Sequence, residues 1–304
     1  ISGFVIFMSV RGRSVPQFIG SRVGRLYPAY WVAVLATAGL LTWVIPQEPA
    51  ITIKQVLINL TMLQQPLRVR PVDAVYWTLW IEITFYALMT LLMILKVSDR
   101  GIAWVLFAWP SVSFVMVLSE SPIIMKGLGM QYASFFAAGM CLYLIHLHGH
   151  RYSYWLIFVF NAAIAIRQTV YFEVPSVSAN TGQPLSPVGT AFVTAGIFLL
   201  VALVTVTPLK HRGMKWMVRA GALTYPLYLI HEWWGWWMIG LVNPLLGKWP
   251  AILCAVALSF ALALAIERWI ETPLRPVLRR GAQRVLERLR FSKGKSGLDT
   301  TQQL

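Results

Sequence analysis

Uncharged runs of about twenty residues recur down this chain, and that recurrence leaves few choices of fold. An α-helix rises about 1.5 Å per residue, so about twenty apolar residues cross the hydrocarbon core of a bilayer. No water is present there to satisfy backbone N–H and C=O groups, so the spanning segment must bond itself as a helix or close into a barrel. Continuous apolar runs, as opposed to short alternating segments, select helices. Full-length helices are expected at 28–46, 77–95, 102–119, 131–147, 154–171, 188–207, 222–240 and 249–269. Ile1–Val10 is half a span and reads as the end of a further helix. The expected fold is all-α, a polytopic transmembrane helix bundle with eight full spans plus part of one. Pro110 predicts a kink in the span 102–119.

Charge supports this reading. Only 12% of residues are charged and 58% are hydrophobic, against about a quarter charged in soluble domains. The net charge of +15 would suit a nucleic-acid partner, but the basic residues sit in the loops between apolar runs. Twenty of the 26 lysines and arginines fall in one alternating set of loops, 11–27, 96–101, 146–153, 208–220 and 268–304. The positive-inside rule makes that set cytoplasmic. The protein is therefore expected in the cell inner membrane, multi-pass, with a cytoplasmic C-terminus and Ile1 on the outer side. One more helix before Ile1 would complete about ten spans. A membrane region 1–275 is followed by a basic tail 276–304, whose first part suits an amphipathic helix on anionic lipid. Cys141 and Cys254 lie inside apolar runs and read as packing residues.

Ionisable and polar groups inside such a bundle are the candidates for chemistry. Arg22 and Arg25, at i and i+3, share a helical face before an apolar run that Pro28 opens at its first turn. They fit either a bidentate anion fork or an ordinary basic flank. Glu82 lies one turn into its span and suits a general base, its orienting acceptor, or a structural bond, with the polar tips of Trp77, Thr78 and Tyr86 beside it. Tyr225, Tyr228 and His231 form a stripe at i, i+3 and i+6, which fits a cavity wall or a helix contact. Glu267, Arg268, Glu271 and Arg275 read as a clamp closing the last span, with Glu271 able to face Arg22 and Arg25. Arg167 sits near a span end, where it can snorkel. His146, His148 and His150 alternate without a carboxylate or Cys partner, so no metal is expected.

The order of these motifs resembles the integral-membrane acyltransferase family 3, the bacterial O-acyltransferases. Ser2-Gly3-Phe4, Arg22-x-x-Arg25-Leu26-Tyr27-Pro28, Trp77-Thr78-Leu79-x-x-Glu82-x-x-Phe85-Tyr86, Tyr225-x-x-Tyr228-Leu229-x-His231 and Glu271-x-Pro273 carry the resemblance. It implies transfer of an acyl group, typically acetyl, from cytoplasmic acyl-CoA as co-substrate to a hydroxyl of a glycan, a lipid-linked saccharide or a small molecule, as in O-acetylation of cell-envelope polysaccharide. It further implies that Arg22 and Arg25 hold the CoA phosphates, and that Glu82 and His231 are catalytic. Trp77, Tyr86, Tyr225 and Tyr228 would line the substrate path. The base that the family uses is expected on a helix preceding Ile1. The expected partners are membrane lipid, acyl-CoA and a carbohydrate or other hydroxyl acceptor, with no nucleic acid. The alternative is a proton-coupled transporter or flippase of a saccharide or small molecule, which would use the same Glu and His as proton relays.

Overall fold

The computed structural model describes residues 1–118, 130–207, 213 and 215–296, and every regular element among them is helical. Residues 119–129, 208–212, 214 and 297–304 lie outside the described residues, and with them nearly all of the loop expected at 120–130, part of that at 208–220 and the end of the tail; 215–220, expected as loop, are helix. In chain order the helices are α1 (Ser2–Val10), α2 (Val15–Gly39), α3 (Ile53–Asn59), α4 (Trp77–Ile94), α5 (Asp99–Leu118) and α6 (Ala133–His148). They continue with α7 (Tyr152–Gln168), α8 (Val174–Thr181), α9 (Pro187–Val206), α10 (Lys215–Leu246), α11 (Lys248–Ile266) and α12 (Thr272–Ser296). Six segments among the described residues are long and apolar enough to cross a membrane: Val15–Val44, Ala74–Ile94, Asp99–Leu118, Tyr152–Thr181, Pro187–Val206 and Lys248–Leu289. α6 is apolar but shorter, and α10 owes much of its bulk to tryptophan and tyrosine.

The sequence reading misplaced Pro28. α2 starts thirteen residues earlier, at Val15, so Pro28 lies in its interior. The start is marked by Ser14, whose backbone N–H donates to Gln17 Oε1 at 3.0 Å, and by Pro16 in the first turn. Helices in an apolar medium tolerate an interior proline, because neighbouring groups satisfy the carbonyl it frees. Residues 15–27, expected as loop, are therefore helix, and Arg22 and Arg25 lie on it.

The chain divides into two compact units, Ile1–Gly12 with Ile83–Gly213 and Arg13–Glu82 with Met214–Leu304. The first is built around α6, which is buried on nearly all sides from Ala133 to Ile145. α1 crosses α6 so closely that a Cβ on Gly3 would stand 2.0 Å from the Phe136 carbonyl oxygen. Only glycine allows that approach. Phe4 and Phe7 then pack edge-on against Tyr143, each at 5.4 Å. Pro110 in α5 lacks the N–H that would bond the Leu106 carbonyl, and the buried Asn161 of α7 donates to that carbonyl at 3.0 Å. Arg11 and His148 both pair with Asp99, the latter at 2.7 Å.

The second unit holds α2, α3, the start of α4 and α10 to α12. α10 and α11 form an antiparallel hairpin turned at Gly247, whose φ of 80° suits glycine. α12 packs on α2, where a Cβ on Gly24 would meet the Arg275 carbonyl oxygen at 2.6 Å and one on Gly20 the Arg279 carbonyl oxygen at 2.8 Å. The segment between α2 and α4 does not simply cap the bundle. Tyr27 donates to the Thr61 carbonyl at 3.2 Å and Trp31 to the Leu60 carbonyl at 3.0 Å. From Val44 back to Tyr27 is about 26 Å along a helix, so this loop returns deep alongside α2. Asn59, fully buried, organises its exit by accepting from the Val72 N–H and donating to the Arg70 carbonyl.

Candidate functional site

Within the second unit a line of polar contacts follows one face of α10. Tyr225 donates to the Leu26 carbonyl at 3.0 Å, one residue beyond Arg25. One turn on, the Tyr228 hydroxyl lies 2.5 Å from Thr78 Oγ1 and 2.5 Å from the Val75 carbonyl oxygen it donates to. The charge of Glu82 reaches Tyr228 as well. His231 continues the face, with its ring 5.9 Å from that of Tyr228. The stripe read from i, i+3 and i+6 is thus a set of helix contacts as far as Tyr228, and the edge of a cavity from His231 onward.

That cavity, about 540 Å³, lies between α10 and α11 and is lined by His231, Glu232, Trp236, Ile252, Val256 and Ser259 among others. His231 Nδ1 sits 2.9 Å from the Tyr228 carbonyl oxygen. A carbonyl only accepts, so Nδ1 carries the proton and Nε2 keeps the lone pair. The ring is therefore held in the tautomer that can take a proton at Nε2.

The basic end is built from α2 and α12. Arg22 donates from Nε to Ser21 Oγ at 3.3 Å and lies over the Phe18 ring. Arg25 and Arg275 both reach Glu271, which is buried and 3.9 Å from Arg275 Nη1. The Gly20 and Gly24 crossing thereby sets Arg275 and Arg279 of α12 next to the arginines of α2. Of the charges expected to clamp 267–275, Arg275 and Glu271 pair, Thr272 donates to Glu267 Oε1 at 3.1 Å, and the helix runs on through Pro273.

Other candidates fall elsewhere. Tyr86 lies in the first unit, buried, with its carbonyl accepting from Thr90. Trp77 is 38% exposed. The Arg167 guanidinium lies 4.9 Å from the Phe114 ring centroid. His146 contacts the Thr205 carbonyl, His148 pairs with Asp99 and His150 stacks on Trp155, so the three do not converge. Among the described residues no group of three His, Cys, Asp or Glu side chains is placed to hold a metal. Cys141 is buried and donates to the Tyr154 carbonyl, and Cys254 is half-buried; both are free thiols. Missed in the sequence was Asp73, which is fully buried against Glu232. Its one local signal is Asp73 itself, capping the turn that opens α4 by accepting from the Val75 N–H.

Described residues that are all helical where regular, with six apolar segments of membrane length, define a class, the multi-pass membrane proteins. Residues 1–268 match the acyltransferase domain model of acyltransferase family 3. The chain belongs to that family. No curated protein and no solved structure matches it.

Proposed function

We propose that this protein is a membrane O-acyltransferase that moves an acyl group, acetyl in the simplest case, from cytoplasmic acyl-CoA to a hydroxyl of a glycan, lipid-linked saccharide or small molecule. The observation that carries the reading is the continuity of the second unit's polar line. It starts at Arg25 and its neighbours, passes Tyr225 and Tyr228, and ends at His231 on the cavity. From Tyr225 to His231 is about 9 Å along α10. Arg22 and Arg25, with Arg275 and Arg279 beside them, suit the phosphates of the donor. Among this chain's own residues His231 Nε2 is the group placed to take the proton of the acceptor hydroxyl, in the role that the resemblance gives to a base before Ile1; the hydroxyl oxygen attacks the thioester carbonyl, and the thiolate of CoA leaves. Glu82 acts through Tyr228, and the apolar cavity walls keep water from the thioester. No metal enters this scheme. The basic face is cytoplasmic, in the inner membrane, and α12 rests on lipid.

The test is binding of radiolabelled acetyl-CoA to the purified chain, together with transfer to a hydroxyl acceptor. A charge-assisted contact to phosphate contributes about 1.5–3 kcal/mol, so Arg22→Ala and Arg25→Ala are each expected to weaken binding by about ten- to a hundredfold. His231→Ala should leave binding intact and lower transfer by a factor of about 10²–10⁴. Binding that neither arginine substitution weakens would overturn the donor site.

A further inference from the structure

The buried carboxyl of Asp73 has no role in the scheme above, yet its surroundings demand a proton. Asp73 is fully buried. Its Oδ1 accepts from the Val75 N–H at 3.2 Å, and Oε2 of Glu232 accepts from the same N–H, also at 3.2 Å. One N–H shared by two carboxyls brings them together. Asp73 Oδ2 has no hydrogen-bond partner among the described residues; the groups acting on the carboxyl are Glu232 and the N–H groups of Val75 and Trp233. Two carboxylates repel, and neither has a hydrogen to donate. The contact becomes a bond only when one of the two is a carboxylic acid, and such O–H···O⁻ bonds are among the strongest.

The Val75 and Trp233 N–H groups favour the charged form of Asp73, but burial and Glu232 outweigh them. From α10 the pair faces Tyr228 and the N–H of Trp233; from the turn before α4, Tyr76, with Tyr30 of α2 behind it at 5.1 Å between rings; and from α4, Glu82 by way of Tyr228. Arg70 lines a small adjoining cavity with Ala74 and Trp233, and no cation is among the groups acting on Asp73. Burial first, and then Glu232, raise the Asp73 carboxyl to about 8, so the acid form persists at neutral pH.

We propose that Asp73 and Glu232 form a proton-binding site, with one proton held between the two carboxyl groups and the bond tying the start of α4 to α10 beside Tyr228 and His231. The site does not depend on the acyltransferase reading. It positions Tyr228: the Val75 N–H bonds the carboxyl pair while the Val75 carbonyl accepts from the Tyr228 hydroxyl. Loss of the proton sets two carboxylates against each other across that peptide.

Infrared spectroscopy of the full chain in lipid, titrated from pH 6 to pH 10, tests this without any acyl donor. The native chain is expected to show a carboxylic-acid C=O band that is lost as the pH rises. Asp73→Asn and Glu232→Gln should each remove that band, because the amide supplies the missing donor hydrogens and no shared proton is needed. Asp73→Asn should also keep the fold and abolish the dependence of melting temperature on pH over the same range. Absence of a titrating acid band in the native chain would overturn the site, as would a band that survives in both variants. If Asp73→Asn does not fold, the native titration and Glu232→Gln still decide it.

Discussion

His231 gains its chemical meaning from a single bond. Because Nδ1 donates to the Tyr228 carbonyl, Nε2 keeps its lone pair on a residue that lines the cavity. General-base catalysis contributes about 10²–10⁴ to a rate, so His231→Ala should lower acyl transfer by that factor while donor affinity is unchanged, measured as kcat against donor Kd. Asp73 sets a second expectation, this time on stability. Its carboxyl moves from the ordinary 3.8 to about 8 on folding. Between those values the folded chain holds more protons than the unfolded one, so stability falls as pH rises through that window and levels off above it. Thermal unfolding at steps from pH 5 to pH 9 should show the decline, and a melting temperature that rises with pH would contradict it. The two residues also differ in how readable they were. The stripe Tyr225, Tyr228, His231 shows in the helical spacing. The partnership of Asp73 with Glu232 does not, because it joins positions far apart in sequence that only tertiary packing brings together.

Among the elements, α2 shows where reading by hydropathy stops. The apolar run after Pro28 was plain, but the half before it carries Arg22 and Arg25 and read as loop. Hydropathy places the boundary where charge ends, whereas the helix starts at its cap, Ser14 with Gln17. The return of residues 60–61 to Tyr27 and Trp31 left no trace either, since it rests on backbone carbonyls that any residue provides. The apolar runs of α4 to α7, α9 and α11 were legible within a few residues, because length and apolarity alone specify a membrane helix, whereas the short α8 falls where a loop was read. The crossing of α2 and α12 gives a direct test. A methyl at Gly24 would meet a backbone oxygen at 2.6 Å, and backbone cannot step aside as a side chain can. Overpacking of this kind costs about 1–3 kcal/mol. Gly24→Ala should therefore lower the melting temperature and weaken donor binding together, because the crossing aligns Arg275 and Arg279 with Arg25. Gly196→Ala in α9, where the new methyl meets nothing within 4 Å, is the control and should change neither. In the first unit, Asn161→Leu should destabilise by about 1–3 kcal/mol, because it strands the Leu106 carbonyl that Pro110 has already deprived of its N–H.

At the scale of the whole molecule the charge is lopsided, and α12 carries much of the imbalance. Gly20 and Gly24 of α2 pack against one face of this helix. Elsewhere around it Val277, Val285 and Leu289 are each more than half exposed, and Arg280, Arg284 and Arg288 recur at every fourth residue beside them. An exposed apolar stripe flanked by arginines is unstable against water and well matched to the edge of an anionic leaflet, where the stripe enters the acyl boundary and the guanidiniums meet phosphate. Each such arginine contributes about 1 kcal/mol at an anionic surface, enough for three of them to decide whether the helix lies down. Hydrogen exchange over 277–289 in nanodiscs measures this directly. Exchange is expected to be slower in anionic than in zwitterionic lipid, and the triple change Arg280→Gln, Arg284→Gln, Arg288→Gln should erase the difference while leaving exchange in α10 and α11 unaltered. Equal exchange of the native chain in both lipids would mean that α12 is held by α2 alone. Its arginines would then be free to extend the basic end at which Arg25 and Arg275 already meet Glu271.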